Sequence, residues 1–435
     1  MKKVHVIGAG LAGCEAANLL ANRGYEVVLY EQKPQKYSPA HKSESFAELV
    51  CSNSFKASRL ESAAGMMKEE MRRLGSICLD VAEQCKVPAG GALAVNRDEF
   101  SLGVTKRILA NKNIEIVREE FTELDDSVPT IVATGPLTDG KLAEDLSRLT
   151  GTESLYFYDA AAPIVLADSL DYSKLFCQSR YDRGGDDYWN APFDKAGYEE
   201  FWNQLVSAEG AELHSFEVDQ PVYEGCMPIE KLAKRGIDAA RYGPMKPVGL
   251  RNPMTGHRPW AAVQLRKEDA EGTMFNLVGF QTNLKFGEQK RVFTMIPGLE
   301  HAEFVRYGVM HRNSFLNAPK VLDDTLRIKG TDQIYIAGQL SGVEGYMESA
   351  AFGILAARFL SSRLEGREPA MLPPETMLGS LLRYLSSENK DFQPMGANMG
   401  ILPPIGEIKD KKERYAAYAN RGLLALEEFL KKESV

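Results

Sequence analysis

Two cysteines, Cys51 and Cys226, lie in segments whose composition favours an accessible thiol. Cys51 is followed by Ser52-Asn53-Ser54, three small polar residues that indicate a loop, although a buried thiol remains open there. Cys226 precedes Pro228 by two residues, and proline favours the first turn of a helix. A thiol at a helix N-terminus is stabilised as thiolate by the dipole, whereas most free cysteines are buried and inert. The pair predicts nucleophilic thiol chemistry.

The chain begins with a dinucleotide-binding fingerprint. Residues 2–7 predict a buried strand, 11–23 a helix and 25–31 a second strand, with a glycine motif at the first turn. The first glycine permits the turn, the second lets the backbone approach a pyrophosphate, and the third allows helix–strand packing. An acid at the end of the second strand would hold a ribose hydroxyl. The predicted contacts are Gly8, Ala9, Gly10, Leu11, Ala12, Gly13 and Glu31.

Two later segments favour FAD over NAD as the bound nucleotide. Residues 130–135 resemble a strand end of two-dinucleotide-type flavoproteins, and residues 335–342 resemble their second pyrophosphate and flavin contact. A simple dehydrogenase does not need this returning element. Because no second glycine motif occurs in the sequence, NAD(P)H is expected as a visiting reductant. These segments add Gly135, Gly338, Gln339, Gly342 and Tyr346, whose ring either stacks on the flavin or packs in the core.

The predicted fold class is α/β, with two domains expected for 435 residues. A Rossmann-like two-dinucleotide-binding FAD domain is predicted from residues 1–150 and 325–435. An inserted mixed α/β domain for substrate and RNA is predicted from 151–324. Residues 59–85 have helical spacing, and a small-residue helix after the strand at 333–338 is expected to pack on the sheet.

Cysteine spacing and hydropathy limit the other possible classes. Six cysteines without a C-x-x-C pair argue against a zinc site or a disulfide scaffold, and they suit a reducing cytoplasm. No metal site is therefore predicted. No apolar run of about 18 residues occurs, so a membrane span is not expected. The apolar start predicts a strand and not a signal peptide.

The distribution of charge keeps nucleic acid among the candidate partners. The net charge is −8, yet the segment 231–267 carries nine basic residues and one acid, Asp238. Runs of charge are usually solvated faces, but a local basic surface also attracts phosphate backbones. The candidate RNA contacts in this segment are Lys234, Arg235, Arg241 and Lys246.

Stretches along almost the whole chain resemble one known family. They are similar to the folate- and FAD-dependent tRNA (uracil-5-)-methyltransferases, small relatives of the glucose-inhibited division protein. The shared stretches are Gly8–Gly13, Phe46–Ser54, Val87–Val95, Tyr158–Pro163, Glu224–Glu230, Gly243–Leu250, Arg306–Asn313 and Gly342–Ala351.

The resemblance implies methylation of RNA without S-adenosylmethionine. Methylenetetrahydrofolate would supply one carbon, through reduced flavin, to carbon 5 of the T-loop uridine (position 54) of tRNA, giving 5-methyluridine, with NAD(P)H as reductant. It implies Cys226 as the nucleophile that activates the base and Cys51 as its assistant. Cys51 would either protect the one-carbon unit on the flavin or take the carbon-5 proton. His311 matches the residue that stacks on the pterin. The implied partner is the T-arm of tRNA, bound by a monomer or homodimer.

The sequence departs from the family pattern at two places, and other functions stay open. Phe55-Lys56 replaces Leu-Arg, which predicts a looser phosphate contact, and Asn96-Arg97 replaces an Asp-Arg pair, which puts a carboxylate role there in doubt. Alternatives are the same chemistry on a uridine of 23S ribosomal RNA, a flavin-dependent thiol/disulfide oxidoreductase, and a non-catalytic RNA-binding flavoprotein. The oxidoreductase usually has a closely spaced cysteine pair, which this sequence lacks.

Overall fold

The computed structural model describes residues 2–152, 155–182, 185, 187–211, 227–390 and 392–433. The strands are β1 (Lys3–Ile7), β2 (Glu26–Tyr30), β3 (Ser54–Ala57), β4 (Lys86–Val87), β5 (Ala92–Val95), β6 (Ile114–Val117), β7 (Thr130–Val132), β8 (Leu155–Ala160), β9 (Ile164–Leu166), β10 (Phe176–Cys177), β11 (Tyr188–Phe193), β12 (Ala261–Lys267), β13 (Met274–Leu277), β14 (Phe304–Arg306), β15 (Met310–Phe315) and β16 (Ile334–Ile336). The helices are α1 (Leu11–Asn22), α2 (Ala63–Arg73), α3 (Ile77–Gln84), α4 (Arg97–Leu109), α5 (Gly140–Thr150), α6 (Lys195–Ser207), α7 (Ile229–Ala233), α8 (Ala239–Tyr242), α9 (Phe286–Phe293), α10 (Ala318–Val321), α11 (Tyr346–Leu364), α12 (Met377–Ser386) and α13 (Lys411–Glu433).

A five-stranded parallel sheet forms the centre of the first unit, in the order β16-β7-β1-β2-β6. The predicted β1-α1-β2 start is confirmed, and β1 pairs with β2 in parallel from Lys3 to Ile7. The predicted returning strand is also confirmed, because β16 pairs in parallel with β7. Strands buried on both faces read as continuous apolar runs, which is why these segments are recognisable in the sequence.

Helix α11 packs against α1 and also contacts strand β16 of the sheet. A Cβ atom built on Gly353 would lie 2.1 Å from the Ala12 carbonyl oxygen. A Cβ atom on Gly338 would lie 2.9 Å from the Ala12 Cβ atom. The small residues therefore bring α11 close to the first turn of α1, where the nucleotide motif lies.

The second unit is built on a six-stranded sheet in the order β10-β11-β12-β13-β9-β14, within which the described pairings are antiparallel. On one face of β12, Val263 and Leu265 enter the core of this unit. The opposite face is buried as well, but by polar partners: Gln264 donates to Asn190, and Arg266 donates to Asn53 of the first unit. The two units have separate hydrophobic cores. The core of the first unit includes residues that precede the predicted limit at 325, namely Phe315, Leu316, Ala318, Val321 and Leu322. The domain limits of 1–150 with 325–435 and 151–324 stay a prediction.

The predicted helical segment 59–85 is two helices, α2 and α3. The chain breaks at Gly75, whose φ of 83° lies in the left-handed region that favours glycine. Ser76 then caps α3, because its hydroxyl accepts a hydrogen bond from the Leu79 N–H. Because the residues on both sides of Gly75 have helical spacing, the periodicity of the sequence does not show that one helix ends there and another begins.

Two buried carboxylates cap the N-termini of neighbouring helices. Glu15 of α1 accepts hydrogen bonds from the N–H groups of Ile77 and Cys78 at the start of α3. Glu70 of α2 accepts from Met377 and Leu378 at the start of α12, at 2.7 and 2.9 Å. Burial raises the pKa of Glu15 to about 7 and the pKa of Glu70 to about 8.

We expect Glu70→Gln to flatten the fall in stability between pH 5 and pH 8. The unfolded carboxyl ionises near pH 4.5, whereas the folded one keeps its proton until about pH 8. The raised pKa therefore contributes fully to the free energy of unfolding below pH 4.5. This contribution, on the order of a few kcal/mol, is lost as the pH rises through 8. Urea unfolding at pH 5 and at pH 8 measures the change in the free energy of unfolding between them. Glu69→Gln, in the same helix, should keep the wild-type slope, and an equal slope for Glu70→Gln would contradict the assignment.

Candidate flavin and thiol site

A cleft of about 1250 Å³ opens beside the N-terminus of α1 and the carboxyl ends of β1 and β7. The N–H groups and dipole of a helix start suit a phosphate group in such a position. Ten of the predicted cofactor contacts line the cleft: Gly8, Ala9, Gly10, Leu11, Ala12, Glu31, Gly135, Gly338, Gln339 and Tyr346.

The three glycines of the first motif have the predicted division of roles. A Cβ atom on Gly8, whose φ is 96°, would lie 2.7 Å from the Ala133 carbonyl oxygen. A Cβ atom on Gly13 would lie 1.8 Å from the Gly8 carbonyl oxygen. At Gly10 the same construction meets no atom within 4 Å, since this residue faces the cleft. The backbone at Gly10 is therefore open to the pyrophosphate of a dinucleotide, which fits FAD.

Glu31 is held at the edge of the cleft by the backbone. Its carboxylate accepts hydrogen bonds from the Ala9 N–H at 3.2 Å and from the Lys33 N–H at 3.0 Å. The side chain is buried and lines the cleft, a position suited to binding a ribose hydroxyl.

Two predicted cofactor contacts, Gly13 and Gly342, are not among the residues that line the cleft. Gly13 is buried where α1 packs against the turn at Gly8, so it has the packing role predicted for the third glycine of the motif. Gly342 has a φ of 92°, and a Cβ atom there would lie 2.6 Å from the ring of Phe392. Both positions require glycine for packing, which sequence alone does not distinguish from ligand contact.

Sequence reasoning missed several residues that line the cleft. His41 does so with its Nδ1 atom 2.6 Å from the Ser38 hydroxyl oxygen, and burial lowers its pKa. Lys33 donates to the Ser45 carbonyl oxygen at 2.7 Å. Phe121 and Thr138 enter from later segments. These residues belong to no motif, so nothing in the spacing indicated them.

Tyr346 joins the cleft to the loop that carries Cys51. Its hydroxyl oxygen accepts hydrogen bonds from the Cys51 N–H at 2.7 Å and from the Ser52 N–H at 3.3 Å. Burial raises the pKa of Tyr346, so the hydroxyl stays neutral. The Cys51 Sγ atom lies 3.9 Å from the Ala160 carbonyl oxygen, at the end of β8. Cys51 is half-buried beside the predicted flavin site, which resolves the alternative left open by the sequence.

The Cys51 loop also lies against the ribbon of β8 and β15. Ala160 of this ribbon pairs with Met310, and the next pair is Asp159 with His311. The structure therefore brings the backbone of His311 to the neighbourhood of Cys51. Cys226 lies outside the described residues, and α7 begins three residues after it, with Pro228 as the N-cap.

Three arginines hold the Cys51 loop, and sequence reasoning assigned none of them a role there. Arg97 donates to the carbonyl oxygens of Leu49 and Cys51 at 2.8 and 3.2 Å. Arg266 donates to the Ser52 hydroxyl and Asn53 side-chain oxygens, both at 3.0 Å. Arg306 donates to the Val50 carbonyl oxygen. Glu268 forms an ion pair with Arg97 at 2.5 Å. Both units thus fix the position of the thiol.

The structure accounts for both departures from the family pattern. Asn96 is the N-cap of α4 and accepts from the N–H groups of Asp98 and Glu99, a role that asparagine and aspartate fill equally well. Lys56 is tied to the buried Glu348 at 2.8 Å, so its ammonium group serves this ion pair.

The predicted RNA contacts differ in their availability. Lys234 and Arg235 are exposed, and Lys246 is half-buried. Arg241 is mostly occupied by the fold, since it donates to the Trp260 carbonyl oxygen at 2.9 Å and pairs with Asp238 at 3.2 Å. Arg266 is one of the nine basic residues counted in the segment 231–267. It is buried under the Cys51 loop, however, and is not part of the basic surface.

Metal-ligating clusters and membrane-spanning helices are both absent among the described residues. No group of three His, Cys, Asp or Glu side chains among them is placed to hold a metal ion. None of the helices formed by these residues has both the length and the apolar character needed to cross a bilayer.

Comparison with known proteins shows the family of this chain. A methylenetetrahydrofolate–tRNA-(uracil-5-)-methyltransferase TrmFO from Fusobacterium nucleatum subsp. nucleatum is 53% identical over 431 residues, covering 99% of each chain. The enzyme of the same name from Acetivibrio thermocellus is 53% identical over 433 residues, again covering 99% of each. The model of the glucose inhibited division protein A family matches residues 3–368. The chain belongs to the glucose inhibited division protein A family. The two TrmFO enzymes named above match this chain over almost their full length.

Solved structures confirm the fold class. The GidA protein of Aquifex aeolicus superposes with a TM-score of 0.69 at 17% identity, covering 99% of this chain and 75% of that one. A second crystal form gives 0.70 at 16% identity. The α/β fold, with a Rossmann-like FAD-type domain and an inserted mixed α/β domain, is thus confirmed.

We expect Tyr346→Phe to loosen the Cys51 loop. Removing the hydroxyl leaves the N–H groups of Cys51 and Ser52 without their acceptor, at a cost of about 1–3 kcal/mol. Urea unfolding measures this loss, and peptide mapping after iodoacetamide treatment should show Cys51 alkylated several-fold faster. Tyr384→Phe, which removes a hydroxyl that donates to the Gln393 carbonyl oxygen and accepts from the Asn389 side chain, is the control and should not change alkylation. An unchanged alkylation rate in Tyr346→Phe would mean that the hydroxyl does not position the loop.

Proposed function

We propose that the protein methylates carbon 5 of the T-loop uridine (position 54) of tRNA, using methylenetetrahydrofolate, FADH2 and NAD(P)H. The observation that carries this proposal is the link between Cys51 and the cleft through the Tyr346 hydroxyl. It places a thiol beside the predicted flavin site, in a chain whose full-length relatives are named for this reaction. We also propose that it acts in the cytoplasm.

The residues of the cleft would hold FAD by its diphosphate and a ribose. Gly10 and the start of α1 would face the pyrophosphate, and Glu31 the ribose. Tyr346, whose hydroxyl binds the Cys51 loop, also lines the cleft, where its ring would contact a flavin. Bound FAD, once reduced, would supply the electrons and relay the carbon from the folate.

The cysteines would act on the base. Carbon 5 of uracil becomes nucleophilic only after a nucleophile adds at carbon 6, and we assign that addition to the Cys226 thiolate. After carbon 5 has received the new carbon, its proton must leave before Cys226 can be eliminated. Cys51, held by Arg97, Arg306 and Tyr346, is the proposed acceptor of that proton. His311 is the proposed pterin contact.

An omission assay tests this function against its alternatives. Isotope-labelled methylenetetrahydrofolate is supplied with NADPH and either tRNA or 23S ribosomal RNA. Labelling of tRNA that requires all components supports the proposal, and labelling of ribosomal RNA alone transfers it to the other substrate. NADPH-driven reduction of a disulfide substrate without folate would instead identify a thiol oxidoreductase. RNA binding with no labelling would identify a non-catalytic protein.

A further inference from the structure

Tyr242 has the largest exposed fraction, 74%, among the exposed large hydrophobic side chains of the described residues. It ends α8, inside the segment 231–267, which has nine basic residues, of which Arg266 is buried, and one acid. A single exposed ring is ordinary on a protein surface, so its neighbours decide whether it is informative.

Arg241 fixes a positive charge next to this ring. Its guanidinium carbon lies 5.6 Å from the centre of the Tyr242 ring and 3.9 Å from that of Trp260. The hydrogen bond to the Trp260 carbonyl oxygen and the ion pair with Asp238 hold the guanidinium in this position. The ring therefore projects from a rigid, positively charged base.

A second exposed ring lies nearby in the fold. Tyr181 is 48% exposed, and the Lys246 Nζ atom lies 6.0 Å from its ring centre. Arg180 donates to the Pro244 carbonyl oxygen at 3.1 Å, which connects this segment to the chain just after Tyr242. Arg251 and Arg258 are exposed in the loop that follows. Two exposed rings, each with a cation near it, thus lie on segments that the Arg180 hydrogen bond joins.

We propose that Tyr242 stacks on an unpaired nucleobase of the RNA substrate, while exposed cations such as Arg258 contact its phosphates. Basic grooves with exposed aromatic rings are the usual means of binding single-stranded nucleic acid, because every base has a face on which a ring can stack. The excess of positive charge in this segment favours RNA over an ordinary protein partner. This inference rests on the proposed function, since it names a contact of the same substrate.

Salt-dependent binding separates stacking from charge. The probe is a fluorescent T-arm stem-loop RNA, titrated with the full chain at several NaCl concentrations. Tyr242→Ala should weaken binding about 10-fold at every salt concentration without changing the slope of log K against log salt. Tyr242→Phe should bind within about twofold of wild type, because the ring is kept. Arg258→Ala is the charge comparator and should reduce the slope by about 1.

The outcomes are distinguishable. Wild-type affinity in Tyr242→Ala, an equal loss in Tyr242→Phe, or a changed salt slope in Tyr242→Ala would each overturn the stacking role. Failure of the wild-type chain to bind the RNA would instead overturn the proposed function itself. Because Tyr242 is largely exposed, its variants should unfold at the wild-type temperature, so a loss of binding reports on the contact.

Discussion

Cys226→Ala is expected to lower tRNA methylation by about three orders of magnitude or more while the protein stays yellow. Without the thiolate there is no addition to carbon 6, so carbon 5 of the uridine stays unreactive. The residues that line the cleft come from the first unit, so flavin binding should not depend on this side chain. Label transfer from methylenetetrahydrofolate and the absorbance of bound flavin measure the two properties in one preparation.

The control for this experiment is Cys177→Ala. Cys177 is a half-buried cysteine in β10 of the inserted unit, and no catalytic role is assigned to it. It should methylate at close to the wild-type rate. Wild-type turnover in Cys226→Ala would exclude the nucleophile role, and loss of flavin from Cys226→Ala would show that the residue supports the cofactor site instead.

Gly10→Asp is expected to weaken FAD binding strongly without unfolding the protein. Gly10 is the N-cap of α1, with a φ of −73° that other residues adopt freely, and aspartate is a favoured N-cap. The new carboxylate would occupy the open space that faces the pyrophosphate. Repulsion between close charges at a protein surface is about 4 kcal/mol, so the Kd for FAD should rise at least about 100-fold.

Two variants show whether charge at this position is the cause. Gly10→Asn has nearly the same shape without the charge and should lose less affinity than Gly10→Asp. Gly287→Asp introduces the same side chain at an open glycine in α9, away from the cleft, and should leave FAD binding unchanged. Titration of the apoprotein with FAD, together with thermal unfolding, measures both properties. A folded Gly10→Asp protein with wild-type FAD affinity would show that the pyrophosphate lies elsewhere.

The nucleotide fold could be predicted because its signals are local. The strand at Lys3–Ile7, the turn at Gly8 and the helix after Gly10 follow one another within a few residues, and each has its own pattern. The returning strand β16 was recognisable as a short apolar run followed by glycine. In the 59–85 segment, a glycine with helical spacing on both sides gave no comparable sign of the break at Gly75.

The surroundings of Cys51 could not be predicted because they come from distant parts of the chain. Arg97, Arg266 and Arg306 are separated in sequence from the loop residues they bind by 46 or more positions. No pattern in the sequence marks an arginine as buried. In β12, the alternation of residue types suggests that Gln264 and Arg266 face solvent, but this face of the strand is buried in the structure. Tyr346 was found only as a candidate for stacking, and its hydrogen bonds to the Cys51 loop required the structure.

The most direct test of the account is the position of the transferred carbon. The wild-type protein is supplied with isotope-labelled methylenetetrahydrofolate, NADPH and unmodified tRNA, and the RNA product is digested and sequenced by mass spectrometry. The account predicts label in 5-methyluridine at the T-loop uridine and at no other position. Oxidation of NADPH with no label in the RNA would contradict it.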